Sequence, residues 1–407
     1  MRLRPDLSAG VVSGELALKK VLYFLNSGAR GGVEEHVLCL LRWLDREAFD
    51  PVLVCPAELL KLLEPELKAY RVRSYPVCIR KWTDFKDIRV YWRILKQEKP
   101  DVVHSHLFFA TLYAAPLSKL AGVPAVVETA HIREAWRKGI KKAFFIDRWA
   151  YGYVDRIIAV SEAVKRFLTG SKGVAEGKIT VIRNGVDLER FSAAYTDQPV
   201  VGLDKIKKGL GFRNKGNTNQ RVKIGVIGRL APQKGHKYFF DAVRLLRDKA
   251  DKAEFLIAGE GSLRKELENL CQAYGIGHQV KFLGFRPDIK DIMASLDILV
   301  LPSLFEGLPL VALEASAMGK AVIVTNVDGS PEVVLNEETG LVVPPEDSKA
   351  LKEAMEVLIF DDDLRKKFGE RARKRMEDHF DLKKQVTETE NIYRRVLERN
   401  TPCPVCS

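Results

Sequence analysis

Apolar residues along this chain fall into short continuous runs that alternate with stretches of helical period. From Lys19 to Ser27 an apolar run ends in a glycine-rich turn, Gly28 to Gly32, and apolar residues then recur at helical spacing from Val33 through Leu44. That order predicts a strand, a loop and a helix. The alternation repeats, with strands at Pro51 to Cys55, Asp101 to Ser105 and Ala125 to Thr129 and helices at Phe85 to Leu95 and Phe108 to Leu120. A strand at Arg156 to Val160 leads into a helix at Ser161 to Leu168 that Ser161 can cap, and Ile179 to Val181 closes the set before the turn at Asn184 and Gly185. Strands of continuous Val, Ile and Leu separated by helices specify a parallel sheet covered on both faces.

Between Phe191 and Arg221 the pattern fails, and the stretch GFRNKGNTNQ is polar, rich in Gly and Asn and without period. The alternation restarts at Val222 to Ile227 and continues through Glu254 to Ala258, Val280 to Leu283, Ile298 to Leu301, Ala321 to Val324 and Leu341 to Val343. Asp361 to Arg399 is rich in charge and helix formers and predicts two or three amphipathic helices. The expected organisation is an α/β domain over 1–195, a linker over 196–220, a second doubly wound α/β domain over 221–378, and a final helix and tail over 379–407 reaching back to the first domain. A length of 407 residues suits two such domains, each able to bury a full core.

Composition narrows this picture. A hydrophobic fraction of 46% and a charged fraction of 29% are those of a globular protein, and no run approaches the ~20 apolar residues that cross a bilayer. The basic N-terminus lacks the sustained apolar stretch of a secretory signal, so a cytoplasmic location is expected. Cys39, Cys55, Cys78 and Cys271 lie in apolar surroundings and read as reduced packing residues, while Cys403 and Cys406 form a CPVC tail that offers only two ligands against the four of a structural zinc site. A net charge of +12 would draw the surface to phosphates, whether of nucleotides or of anionic lipids. Trp136, Arg137, Lys138, Lys141, Lys142, Phe144 and Phe145 mix cations with aromatics, a pattern equally suited to a solvated helix face and to a helix lying on an anionic membrane. No recognised nucleic-acid module is visible, and no nucleic-acid partner is expected.

In open α/β sheets ligands settle at the carboxyl ends of strands, so the residues just past each strand carry the chemistry. After the first strand of the second domain comes GRLAPQKG, which sets Arg229 and Lys234 where two cations suit a diphosphate. Gly259 opens the turn after the next strand, where backbone could approach a ligand closely. The segment FEGLPLVALE places Glu306 in a turn with Gly307, Leu308 and Pro309, and Glu314 within a helix starting near Pro309. If the loop folds back over the helix start, Glu306 can face sugar hydroxyls, Glu314 can face a ribose, and helix-start amides between them can meet phosphate. Glu314 falls among Leu310, Val311, Leu313 and Ala315, where an unpaired carboxylate would be costly and should be hydrogen bonded.

These segments, with GGVEEH near the start, VIRNGVD at the junction, AGEGSL, FLGF and GSPEVV, make the chain resemble the retaining nucleotide-sugar glycosyltransferases of family 4, with the GT-B fold of two Rossmann-like domains facing a cleft. The resemblance implies that Arg229 and Lys234 hold the donor diphosphate, that Glu306 touches the transferred sugar and Glu314 the ribose, that Gly31 and Gly32 border the phosphates, and that His131 lies by the reacting sugar. It implies a UDP- or GDP-sugar donor, and a glycan or lipid-linked acceptor in polysaccharide or lipopolysaccharide synthesis at the inner face of a membrane. His104 and His106 end a strand and are assigned to the acceptor side. One departure is Arg183, where the junction motif commonly has proline. No Asp-x-Asp metal signature lies in a suitable loop, and two cations can replace a divalent ion, so neither metal nor cofactor is expected. A sugar-nucleotide 2-epimerase of the same architecture, and a non-catalytic basic scaffold for polyanions, are the competing readings.

Overall fold

In the computed structural model, which describes residues 18–28, 30–132, 143–192 and 221–400, two parallel sheets each lie between layers of helices. The first domain runs β1 (Lys19–Phe24), α1 (Gly32–Trp43), β2 (Phe49–Cys55), α2 (Ala57–Ala69), β3 (Arg73–Pro76), α3 (Phe85–Glu98), β4 (Val102–His106), α4 (Phe108–Leu120), β5 (Ala125–Ala130), α5 (Ala143–Gly152), β6 (Arg156–Ala159), α6 (Glu162–Gly170) and β7 (Ile179–Val181). Its seven strands take the order β3-β2-β1-β4-β5-β6-β7, so the chain reverses direction across the sheet between β1 and β4. A crevice forms beyond the strand ends at such a reversal.

The second domain runs β8 (Val222–Ile227), α7 (His236–Leu246), β9 (Ala253–Ala258), α8 (Arg264–Ala273), β10 (Val280–Gly284), α9 (Ile289–Ser295), β11 (Ile298–Leu301), α10 (Leu310–Ala317), β12 (Ala321–Thr325), α11 (Ser330–Val333), β13 (Leu341–Val343), α12 (Ser348–Phe360) and α13 (Asp362–His379). Its six strands take the order β10-β9-β8-β11-β12-β13, with the same reversal between β8 and β11. The predicted doubly wound pair is therefore present. The expected linker, the Cys403 and Cys406 tail and most of the basic aromatic segment at 136–145 lie outside the described residues.

Two first-domain elements escape the periodicity. β3 reads RSYP, an edge strand without an apolar run, and α2 carries Pro65 inside it. Pro51 sits within β2, a strand flanked on both sides, and is tolerated because β3 pairs only from Val52 onward. Cys55 and Cys271 are buried and Cys39 and Cys78 partly so, all as free thiols.

The last helix, α14 (Leu382–Asn400), joins the first domain. Leu382, Val386, Ile392, Tyr393 and Val396 pack in one core cluster with Val21, Tyr23, Val37, Leu41 and Phe49 of β1, α1 and β2. A backbone bridge from Val186 to Asp381 lays the junction between domains beside the start of this helix. The end of the first domain at Val186 thus runs beside the return of the chain at Phe380–Leu382.

Candidate active site in the cleft between the domains

The two sheets present their carboxyl ends to each other, and the backbones meet closely. A Cβ added to Gly307 would lie 1.6 Å from the His131 carbonyl oxygen and 3.3 Å from Val160, and one added to Gly329 would lie 2.0 Å from the Gly307 carbonyl oxygen. Only glycine fits at these positions. Asn184 bridges the domains, with its Oδ1 3.0 Å from His36 Nδ1 and its Nδ2 donating to the Leu308 carbonyl at 3.2 Å. Glu332 of α11 forms a second bridge, accepting from the Ala163 backbone at 3.1 Å and from Arg183 Nε at 2.9 Å. The Arg183 that departs from the common proline therefore clasps the second domain.

On the second-domain wall, Gly259 (φ +146°) lies so close to the Gly228 carbonyl that a Cβ there would fall within 1.9 Å, which knits the ends of β8 and β9 together. The loop after β8 carries Arg229, exposed and without an ion pair among the described residues, and Lys234, whose Nζ lies 2.5 Å from Glu306 Oε1. The same Glu306 oxygen accepts from Ser303 Oγ at 2.7 Å, and the Glu306 backbone donates to Asp328 at 2.9 Å. Facing these groups across the cleft is the turn into α1, where a Cβ on Gly31 would meet Arg229 Nη2 at 3.3 Å and one on Gly32 would meet Leu310 at 3.8 Å. Two helix starts, α1 and α10, thus converge beside Arg229 and Lys234, and both favour an anion there.

Of the sequence-derived residues, Gly31, Gly32, Arg229, Lys234, Glu306, Gly307, Leu308 and Pro309 line this one junction, and Gly259 braces it from behind. Glu314 lies one helix face away. It borders a cavity of about 270 Å³ shared with Arg30, Glu35, His36, Arg190 and Gln385, and no hydrogen bond among the described residues holds its carboxylate. The expected partner is absent, and burial pushes its carboxyl up to about 8, with Arg190 pulling it down and Glu35 pushing it up. A carboxyl whose pKa is raised on folding contributes stability below its unfolded value of 4.5 and loses it as pH rises toward 8. Glu314→Gln is therefore expected to raise the melting temperature of the unliganded protein at pH 8.5 and to leave it nearly unchanged at pH 5. A variant that melts like the parent at both values would refute this.

Four imidazoles pack in the first-domain half. His106 Nδ1 lies 3.0 Å from His131 Nε2, the His36 ring stands edge-on to His131 at 4.6 Å, and ring nitrogens of His36, His106 and His131 lie within 4.8 Å of one another. His104 lies deeper. Its nitrogens engage Tyr393 of α14 at 2.6 Å and Thr129 at 2.7 Å, so it anchors the strand end and offers no free nitrogen to the cleft. Burial holds His36 down to about 4 and pushes His104, His106 and His131 well below their usual value, with neighbouring imidazoles adding to the effect, so all four are neutral near pH 7.

Several residues at the junction are not singled out by sequence pattern. Glu34 is buried beside Arg229 and bonded by Ser27, and burial raises its carboxyl. His36, Asn184, Ser303, Asp328 and Gln385 support the site through hydrogen bonds that no spacing rule reveals. The usable signals are the GGVEEH motif, in which Glu34 and His36 sit two residues apart, and the VIRNGVD motif that carries Asn184.

The profile described as Glycosyl transferases group 1 matches residues 211–375, and that described as Glycosyltransferase Family 4 matches residues 30–190. The chain is 30% identical over 371 residues to the UDP-Gal:alpha-D-GlcNAc-diphosphoundecaprenol alpha-1,3-galactosyltransferase of Escherichia coli, covering 89% of this chain and 93% of that protein. It is 29% identical over 286 residues to the N,N'-diacetylbacillosaminyl-diphospho-undecaprenol alpha-1,3-N-acetylgalactosaminyltransferase of Campylobacter jejuni, covering 67% and 71%. Among solved structures, HepE of Anabaena in complex with UDP and glucose superposes with a TM-score of 0.80 at 20% identity, covering 93% of this chain and all of that one, a likeness that places the fold in the GT-B class.

Proposed function

Because the chain belongs to glycosyltransferase family 4 and has the GT-B fold, we propose that it moves a hexosyl group from a UDP-sugar, or less favourably a GDP-sugar, to a hydroxyl of a lipid-linked glycan with retention at the anomeric carbon. The observation that carries this reading is the convergence of Arg229, Lys234 and two helix starts on one point of the cleft, beside Glu306. Leaving-group departure builds negative charge on the diphosphate, and fixed positive groups already aimed at it lower that barrier without reorganising. Glu306, already oriented by Ser303 and Lys234, is placed to accept from sugar hydroxyls.

Among the described residues no nucleophile stands out at the junction, so retention is assigned to front-face attack by the acceptor hydroxyl within an ion pair. The His131 carbonyl at Gly307 and its neutral ring beside His106 position the sugar from the first domain. Glu314, at the cavity wall, is assigned to the donor ribose. The cations do the work of a metal, so transfer is expected to persist in EDTA; its loss would redirect attention to His36, His106 and His131 as ligands. The lipid-linked acceptor is taken from the two relatives named for undecaprenol-diphosphate-linked acceptors, and with it we assign the protein as a cytoplasmic, peripheral enzyme of surface-polysaccharide or lipopolysaccharide assembly.

Thermal unfolding in the presence of UDP- and GDP-sugars tests the donor, because a ligand that binds only the native state stabilises it by about 2.7 kcal/mol at a hundred times its Kd. Protection by a UDP-sugar, lost in Arg229→Ala, is expected; indifference to every nucleotide sugar would remove the reading. Conversion of the donor in the absence of any acceptor would instead indicate an epimerase.

A further inference from the structure

Three imidazoles meet at the first-domain end of the cleft in an arrangement that sugar transfer does not require. His36 lies on α1, His106 ends β4 and His131 follows β5, so one helix and two paired strands fix the three rings. All three are buried, and one nitrogen from each lies within 4.8 Å of the other two. Zinc binds imidazole nitrogen at about 2.0–2.1 Å, so two ligands of a tetrahedral ion stand roughly 3.3 Å apart. His106 Nδ1 and His131 Nε2 are already 3.0 Å apart. A shift of roughly 1 Å brings the third ring to the same centre.

Hydrogen bonding within the protein leaves this cluster unsatisfied. One proton serves the pair His106 Nδ1 and His131 Nε2, and the buried His106 Nε2 has no partner among the described residues, an uncommon state for a polar atom in a core. An ion accepts a lone pair from all three rings at once. Burial keeps the rings neutral near pH 7, the form that binds metal.

The outer layer of such a site is also present. His36 Nδ1 lies 3.0 Å from Asn184 Oδ1 and 3.1 Å from Gln385 Nε2, which leaves Nε2 as its ligand atom. Ligation there puts the ring proton on Nδ1, where Asn184 Oδ1 accepts it, and Asn184 is itself fixed by donation to the Leu308 carbonyl at 3.2 Å. His104 is set apart, because both of its nitrogens are committed to Tyr393 and Thr129. The cavity that His36 and Gln385 line beside Glu314 gives an ion its way in. A ligand set of three imidazoles selects zinc, nickel or copper over magnesium or calcium.

We propose that His36, His106 and His131 form a binding site for a divalent transition-metal ion of the Zn²⁺ class, and that its occupation inhibits sugar transfer. The inhibition rests on the function proposed above. His131 is the ring assigned to the sugar, and a dipositive ion beside a sugar that gains positive charge as the diphosphate departs opposes the reaction. The binding itself does not depend on that function.

The full chain, carrying Cys403→Ser/Cys406→Ser to silence the two thiols of the CPVC tail, is stripped with EDTA, dialysed and titrated with Co²⁺ as a visible stand-in for Zn²⁺. One equivalent is expected to bind, with the absorption of an ion held by nitrogen and oxygen and without a sulfur charge-transfer band. Zn²⁺ should displace it, Mg²⁺ should not, and the bound ion should raise the melting temperature. His36→Asn and His106→Asn, which keep an amide near the Nδ1 position, should each weaken binding by at least about a hundredfold, since loss of an outer-layer partner alone costs roughly 10- to 100-fold. Two variants are used so that one that fails to fold leaves the other to decide, and the Co²⁺ spectrum needs neither. Saturating Zn²⁺ should abolish most transfer by the parent, and EDTA should restore it.

Lack of stoichiometric binding, a sulfur-ligated spectrum, undiminished affinity in a folded variant, or full transfer with the ion bound would each overturn the proposal. Binding that the variants lose, in a protein that transfers sugar from no donor, would leave the metal site standing and remove the glycosyltransferase reading.

Discussion

Lys234→Ala is expected to lower kcat by roughly 10²- to 10³-fold, the usual cost of removing one preorganised charge from a developing anion. The difficulty is that Lys234 also pairs with Glu306, which is only 6% exposed, so its loss leaves a nearly buried carboxylate with Ser303 as the remaining side-chain donor. Part of any effect would then be structural. A second variant separates the two contributions. Lys234→Met/Glu306→Gln removes both charges of the pair, so its melting temperature should recover most of what Lys234→Ala loses, while transfer stays at the level of the single variant or below. Recovery of transfer together with stability would mean that the lysine serves only to neutralise Glu306. Near-normal turnover of Lys234→Ala would remove it from the diphosphate site altogether.

The second large effect is expected from a single methyl group. In Gly307→Ala the new carbon would fall 1.6 Å from the His131 carbonyl oxygen, far inside contact distance, and Val160 at 3.3 Å blocks a sideways shift. Either the loop carrying Glu306 or the end of β5 must retreat, and the domains can no longer meet as they do. A misplacement of about 1 Å at reacting atoms costs on the order of a hundredfold in rate. We expect kcat to fall by at least that factor. The UDP-sugar should still protect the variant against unfolding, because Arg229 and Lys234, the cations proposed to hold the diphosphate, sit on the second domain. Loss of protection together with loss of rate would mean that the loop itself had collapsed, and a variant with unchanged kcat would show that this close approach is not part of the working state.

The two doubly wound sheets were legible because buried parallel strands must be apolar on both faces, and long Val, Ile and Leu runs have few other uses. What stayed hidden had weak local signals. β3 is a four-residue edge with one partner, and its register depends on β2 rather than on its own side chains. In the site, Arg229, Lys234 and Glu306 stand out because they follow the carboxyl ends of strands, where the ligands of open α/β sheets settle. His36, Asn184 and Gln385 meet in one hydrogen-bonded group from positions far apart in the chain, and no period in the sequence brings them together. Glu314 shows a limit of another kind. Its place in an apolar helix pointed to a hydrogen-bond partner, but the fold provides a cavity instead.

Tyr393 also gives the chain a schedule of assembly. Every strand of the second sheet and all of its covering helices have been synthesised before residue 382, whereas the first domain waits for Leu382–Asn400 to finish its core. As the polypeptide leaves the ribosome, the second sheet can form while the first domain still lacks the helix whose tyrosine secures His104. Without Leu382–Asn400 the second sheet would keep all its strands, while the opposite wall of the cleft would lose the tyrosine that secures His104 and part of the core beneath it.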